Sequence, residues 1–441
     1  MFKERTPLWG SFCLWYTDGM KRVLRCDKGD LIIILLLVLC AGLFATIVVR
    51  MFGPQAEPKK TELPTINLGL NDVTYEEFRS GTKDKKYKGN TVNFTVDGDT
   101  TTYEDVELKG RGNSTWGQAK SPFQLKFSEA VDLLDLGAAK KWVFLANFFD
   151  NSNLRNDIAF KLADMLDEEY ATRGEFVKVM MGDDYLGIYY LTHKMEAKKG
   201  SVELQNKLGV LMEIDILHRD TEDCINTKYG TCMTLKDPVA DEDEEADIVQ
   251  TAIDGFMDSY NRFEEAVRAK DWNWISEIVD TRSLAEYYII SEFANNPDAY
   301  DSSYYFYKDG PDDKIHAGPI WDYDYAFANH GWASDIEEST FSPYVTNYNR
   351  DVLKQALVAQ EMYYLVEMPE FMEEVKSVYK EKMAGKSEEF LGWLKARAAS
   401  IREESLNDAD RWAIDGVVED TDYLIDWMRR KYEYLEYTLG R

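Results

Sequence analysis

The stretch Asn295–Phe327 reads NNPDAYDSSYYFYKDGPDDKIHAGPIWDYDYAF. An acidic node sits at each end, Asp298 in N-N-P-D and the Asp322/Asp324 pair in W-D-Y-D. Between them the pattern predicts an aromatic strand over Tyr304–Tyr307, a turn rich in Asp and Gly, and a second short strand over Lys314–Trp321. A strand–turn–strand unit lays its two ends side by side, so carboxylates far apart in sequence converge. Two or three carboxylates around one spot can hold Mg2+ against a phosphate and leave one to act as base. Asp322 and Asp324 alternate with Trp321, Tyr323 and Tyr325, and in an extended chain both carboxylates face the same way. Like charges so placed repel unless a cation or a donor offsets them. Asp309, Asp312 and Asp313, beside Gly and Pro, read as ordinary turn residues.

Upstream of this stretch, apolar–polar alternation predicts strands over Thr65–Leu68, Thr91–Val96 and Thr102–Leu108, with Asp97-Gly98 as a hairpin turn. Lys109–Phe127, KGRGNSTWGQAKSPFQLKF, follows as a glycine-containing loop between two strands. Such a loop can lay backbone N–H groups on a phosphate, and Arg111, Lys120 and Lys126 bring positive charge to it. Further strands are expected at Lys141–Leu145, Phe176–Met181, Gly187–Thr192 and Gly209–Ile216, the last with Glu213 and Asp215 on one face. A helix from about Asn153 to Leu166, N-capped from Asp150-Asn151-Ser152, pairs Asp157 with Lys161. From Asp241 onward, and again from Arg350 to the end, the pattern is mainly helical. Strands first and helices later predict an α+β domain with a sheet-rich front half and a helical back half.

Towards the N-terminus, Leu31–Val49 is apolar and uncharged, long enough for a transmembrane helix. Basic residues cluster before it, which predicts a single-pass cell-membrane protein with residues 1–30 cytoplasmic, 50–64 as a linker and 65–441 as an extracellular domain. Only Cys224 and Cys232 lie beyond the apolar stretch, at a spacing that suits a local disulfide. The net charge is −29; residues 1–50 sum to +3, which leaves −32 on the remainder. So acidic a surface argues against nucleic acid as a partner and favours basic polypeptides or divalent cations.

Taken in order, K-G-R-G-N-S-T with K-S-P-F-Q-L-K-F, K-K-W-V-F-L-A-N-F-F-D, L-R-N-D-I-A, Y-L-G-I-Y-Y-L, G-V-L-M-E-I-D, N-N-P-D-A-Y and A-G-P-I-W-D-Y-D-Y-A-F resemble the spore-coat-H (CotH) kinase family of atypical protein kinases. The resemblance spans roughly residues 65 to 440. It implies a two-lobed kinase-like fold that binds ATP with Mg2+ (or Mn2+) and phosphorylates Ser or Thr of protein substrates. The best-known members act on Ser-rich, basic coat proteins of spores. By this resemblance Asp298 looks like the aspartate that orients the acceptor hydroxyl. Asp322 looks like the metal aspartate, with Asp324 in support. Lys126 or Lys120 is the implied phosphate lysine, Lys126 preferred because it lies inside the strand, and Glu196 or Glu213 would hold it. Ordinary kinases carry a metal-binding Asn five residues after the catalytic Asp, where this chain has Ser303. Two other readings stand beside an enzyme of this kind. One is a non-catalytic, pseudokinase-like surface or wall-binding module; the other is a glycosidase using Asp298 with Asp322 or Asp324 as acid and base.

Overall fold

Period-two hydrophobicity in the front half buries one face of each strand, and here the strands bury it by closing on themselves. The computed structural model describes residues 12–13, 24–25, 62–70, 73–215, 218, 221, 223–329 and 360–441. The chain divides into two units, Met1–Glu62 and Leu63–Arg441. In the first, Phe12–Cys13 pairs antiparallel with Leu24–Arg25. The second opens with seven strands: β1 (Thr65–Gly69), β2 (Tyr87–Val96), β3 (Asp99–Gly110), β4 (Phe123–Asp132), β5 (Ala138–Leu145), β6 (Gly174–Met181) and β7 (Asp184–His193). They form a closed barrel in the order β1-β2-β3-β4-β5-β7-β6, shut by a parallel β1–β6 pairing with Thr65 opposite Lys178. Closure removes the free edges of the sheet. The β2–β3 hairpin turns at Asp97-Gly98, both in the left-handed region (φ 51° and 91°), as a tight two-residue hairpin requires. Val106, Leu108, Phe123, Leu125, Trp142 and Phe144 fill the interior. A short helix, α1 (Tyr75–Ser80), held by a Thr74/Glu77 capping box, packs Tyr75 and Phe78 into the same core.

Between β5 and β6 runs α2 (Arg155–Leu166). Its first turn is served by Asp150, whose Oδ2 accepts from the Arg155 N–H at 2.8 Å. Asp157 does not pair with Lys161: it takes Arg397 at 2.7 Å, while Lys161 takes Asp164 at 2.8 Å. A buried carboxylate gains more from a partly buried guanidinium than from a solvated lysine on its own helix.

The back half has its own antiparallel sheet of β8 (Gly209–Ile214), β9 (Ile225–Asn226), β10 (Cys232–Pro238), β11 (Tyr304–Asp309) and β12 (His316–Ala317), ordered β9-β10-β8-β11-β12. Cys224 and Cys232 form the expected disulfide beside the β9–β10 pairing. The back half also carries α3 (Ala246–Ala269), α4 (Trp272–Ile278), α5 (Thr281–Ala294), α6 (Gln360–Leu365), α7 (Pro369–Lys382), α8 (Ser387–Trp412) and α9 (Val417–Thr438), of which α3 and α5 pack on this sheet. Helix α8 reaches back to the barrel, where Asp408 Oδ1 accepts from the Ile188 N–H at 3.0 Å and pairs with Lys120 at 2.8 Å. The α+β order is as the sequence predicts, with the front sheet a closed barrel.

The expectation of a transmembrane helix ahead of the domain is overturned: among the described residues no helix is long and apolar enough to cross a membrane. The longest of them, α8, is interrupted along its length by charged residues such as Glu388, Lys395, Arg402 and Glu403, which lipid would not solvate. Leu31–Val49 itself lies outside the described residues. The single-pass cell-membrane placement and the extracellular orientation, which rested on that helix, are withdrawn with it.

Candidate active site

The acidic stretch begins where α5 stops. Asn295 caps the helix in the left-handed region (φ 46°), a conformation Asn tolerates better than most residues. Asn296 then donates its N–H to Ser291 O at 3.2 Å and accepts from the Asp298 N–H on Oδ1 at 3.1 Å. Asp298 O closes the next turn by accepting from the Ser302 N–H at 3.0 Å. Ser303 is left-handed (φ 51°) and feeds straight into β11. At the far end, the second predicted strand shortens to the two residues of β12, and Asp322 is left-handed (φ 68°), so W-D-Y-D is a turn and not an extended pleat. Two bonds from the α2 side fix it: the Tyr323 N–H to Asn156 Oδ1 at 2.8 Å and the Ile320 N–H to Glu168 Oε1 at 3.1 Å. The two ends of the stretch are joined directly, the Phe327 N–H donating to Ala294 O at 2.6 Å. Non-glycine residues in the left-handed region cost free energy and concentrate at functional sites.

That closure brings Asp298, Asp322 and Asp324 to one cavity of about 170 Å³, with Ser303 and Asp215 in its wall. An adjoining cavity of about 320 Å³ shares Asp215, Ser303 and Asp322 and adds Arg111, Gly112, Glu213 and four lysines, Lys83, Lys109, Lys194 and Lys236. Gly112 is required where it stands: φ is 80°, and a Cβ there would lie 2.2 Å from Thr115 Oγ1. Arg111 lies over the Trp321 ring at 5.4 Å. Lys236, on β10, pairs with Glu213 Oε2 of β8 at 2.9 Å and lies over the Tyr305 ring at 5.1 Å. A larger cavity of about 470 Å³ also touches Met195 and Trp321, but none of the acidic nodes lines it.

Three residues singled out from the sequence lie elsewhere. Lys120 is buried in its ion pair with Asp408 and lies 4.9 Å over the Tyr189 ring, joining the barrel to α8. Lys126 is exposed on β4. Glu196 pairs with Lys141 at 2.6 Å and with Lys194 at 3.4 Å, so it reaches the cleft only through Lys194. Of the two acids considered as holding a lysine, Glu213 is the one at the cleft, and the lysine it holds is Lys236. Sequence reasoning passed over Lys236; its signal is a lysine in a strand that pairs with the strand carrying Glu213 and Asp215.

Electrostatically the cavity is crowded with like charge. Burial first, then Asp322 and Asp215, push the Asp298 carboxyl up to about 6. Asp324, buried beside Asp322, Asp150 and Asp298, is raised well above the usual carboxylate range. Asp322 is open to water yet walled by protein. That enclosure raises its carboxyl, Arg111 opposes the rise, and Asp215 and Glu213 add to it. Among the described residues no three His, Cys, Asp or Glu side chains are grouped closely enough to hold a metal ion by themselves. A family model described as "CotH kinase protein" matches residues 108–435, which include both acidic nodes and the glycine loop. The chain belongs to the CotH kinase family. Its activity class is accordingly kinase-like. No curated protein matches this CotH kinase-family chain. Among solved structures it is similar to the Helicobacter pylori proinflammatory kinase CtkA, at 9% identity over 82% of this chain and 96% of that one. The TM-score is 0.22, and the likeness carries no argument.

Proposed function

We propose that this CotH kinase-family protein transfers the γ-phosphoryl group of ATP, taken up with Mg2+ or Mn2+, to Ser or Thr hydroxyls of a basic, Ser/Thr-rich polypeptide. The reading rests on one observation: Asp298 and Asp322 line a single cavity, and the cavity adjoining it carries Arg111 and Lys236. The acceptor oxygen forms the new P–O bond as the bond to ADP breaks, and its proton passes to Asp298. Burial and charge crowding suit Asp298 to that task, because a base is most effective with a pKa near the working pH. Arg111 and Lys236, with the backbone around Gly112, line the cavity that would take the phosphates and would offset their charge. Asp322 would hold the metal, with Ser303 and Asp324 close by, and a bound metal would supply charge neutralisation. Two carboxylates and a hydroxyl fit a magnesium ion that brings its own waters and phosphate oxygens. The chain's net charge of −29 favours a basic acceptor.

One observation favours a second reading, nucleotide binding without transfer: Ser303 offers a single neutral hydroxyl where an amide oxygen is usual. A single experiment separates the two. Wild type, Asp322→Ala and Ser303→Asn are each heated with ATP and Mn2+, then incubated with labelled ATP and a basic Ser-rich peptide. The kinase reading expects a nucleotide-dependent thermal shift and peptide labelling in wild type, and neither in Asp322→Ala. A shift without labelling in wild type, with labelling appearing in Ser303→Asn, supports the second reading. No shift in any of them refutes both.

A further inference from the structure

The C-terminal helix α9 touches both ends of the acidic stretch with one face. Lys431, fully buried, donates from Nζ to Asn295 Oδ1 at 2.6 Å. Trp427, one turn earlier and equally buried, packs edge-on against Phe327 with ring centres 6.1 Å apart. Residues four apart share a helix face, so a single rigid surface meets Asn295 and Phe327 together. Those two positions adjoin the only direct tie between the ends, the Phe327 N–H to Ala294 O bond noted above, among the described backbone bonds. From Asn295 the path to the base is short: Asn296 follows in the chain, and its Oδ1 accepts from the Asp298 N–H.

The choice of lysine is informative. An ammonium group taken wholly out of water is costly unless paired and hydrogen-bonded. A methionine would fill the same space without that cost. What the amine adds is a directed bond to Asn295, with the nearby Glu292 carboxylate supplying opposite charge. Asn295 in turn is held left-handed at the end of α5, where a small rotation would swing the whole N-N-P-D turn.

We propose that α9 is the positioning element of the active site. Lys431 sets the turn that presents Asp298, through Asn295, and Trp427 sets the turn that presents Asp322 and Asp324, through Phe327. Neither touches the reacting atoms; both are positioning residues. The proposal rests on the kinase reading for its kinetic consequence but not for its structural one.

The test uses the full chain with Lys431→Met, Asn295→Ala, the double variant and Lys431→Gln, which retains an amide donor. Two readouts are taken. In hydrogen exchange, the peptide covering residues 295–303 is expected to exchange faster in Lys431→Met while barrel peptides stay unchanged. In peptide phosphorylation, kcat is expected to fall at least about tenfold with the KM for ATP within about twofold of wild type. The double variant should lose no more than the worse single one, because both cut the same link. Lys431→Gln should recover part of kcat, and it stands in for Lys431→Met if the latter does not fold, with a smaller loss in the same direction. Unchanged exchange at residues 295–303, or losses that simply add in the double variant, overturns the proposal. A wild type without phosphoryl transfer refutes the kinase reading instead, and the exchange arm then decides the positioning role alone.

Discussion

Replacing Asp298 by Asn should stabilise the fold while removing activity, and the size of the gain follows from the carboxyl's surroundings. Burial and the charges of Asp322 and Asp215 lift Asp298 from its ordinary 3.8 to about 6. Two decades of proton affinity are worth about 3 kcal/mol. Because the folded value lies above the unfolded one, the fold is most favoured below about pH 4, and that advantage is lost as pH rises through 6. At pH 7 the ionised carboxylate therefore costs the apo protein up to about 3 kcal/mol, and at pH 4 under about 1. Asn keeps the shape and removes the charge, and the bond from the residue 298 N–H to Asn296 Oδ1 involves only backbone on that side. For a domain the size of Leu63–Arg441, the gain corresponds to about 3–4 °C in Tm at pH 7.5, shrinking to about 1 °C at pH 4.5. Thermal unfolding of both proteins at the two pH values, without nucleotide, measures it. Peptide phosphorylation should fall by about 10²–10⁴ in the same variant. A Tm gain of equal size at both pH values, or a loss at pH 7.5, would refute the claim that Asp298 is ionised against its surroundings.

Three further substitutions separate the lysines. Lys236→Met should lower kcat/KM for peptide phosphorylation at least about tenfold, since it removes a cleft cation and leaves Glu213 unpaired. Lys126→Met, on an exposed position, should leave the same kinetics within about twofold, and equal effects would return the phosphate-binding role to β4. Lys120→Met should instead lower stability, by about 3–5 kcal/mol in denaturant titration, because it strands the buried Asp408 carboxylate.

Much of the site is legible because its signals are local. Asp298 follows a helix end and a proline, and Asp322 and Asp324 flank Tyr323 in an aromatic run, so each node stands out within a few residues. The second node differs from the pattern its alternation predicts: the carboxylates share a cavity through a left-handed turn at Asp322, not through the period of a strand. The cation was harder to place because position along a strand is not written in its alternation. Gln124 and Lys126 lie on the same side of β4; Gln124 lines the cleft, while Lys126, about 7 Å further along, is in water. Lys236 needed knowledge that β10 pairs with β8, and Lys120 needed a partner nearly three hundred residues away, at Asp408. The parallel β1–β6 closure is non-local in the same way.

The distribution of charge also says when such a site becomes complete. Asp298, Asp322, Asp324, Asp215, Glu213 and Asp84 line the two adjoining cavities, against Arg111, Lys83, Lys109, Lys194 and Lys236. Glu213 is already paired with Lys236, Lys109 with Asp84, and Lys194 also contacts Glu196 at the edge, while Arg111 first and then Lys236 oppose the charge on Asp322. The remaining carboxylates repel one another, and no three of them stand close enough to hold a cation alone. A cation that arrives carrying phosphate oxygens meets neither difficulty. Magnesium dehydrates reluctantly and is commonly bound through one or two carboxylates plus substrate phosphates. Its charge would relieve the crowding that keeps Asp298 near 6, so metal–nucleotide binding and ionisation of that carboxyl should reinforce one another. The protein should therefore bind the metal–nucleotide pair better than either alone. Asp322, the carboxylate open to water at the junction of the two cavities, is the residue whose replacement should abolish that coupling.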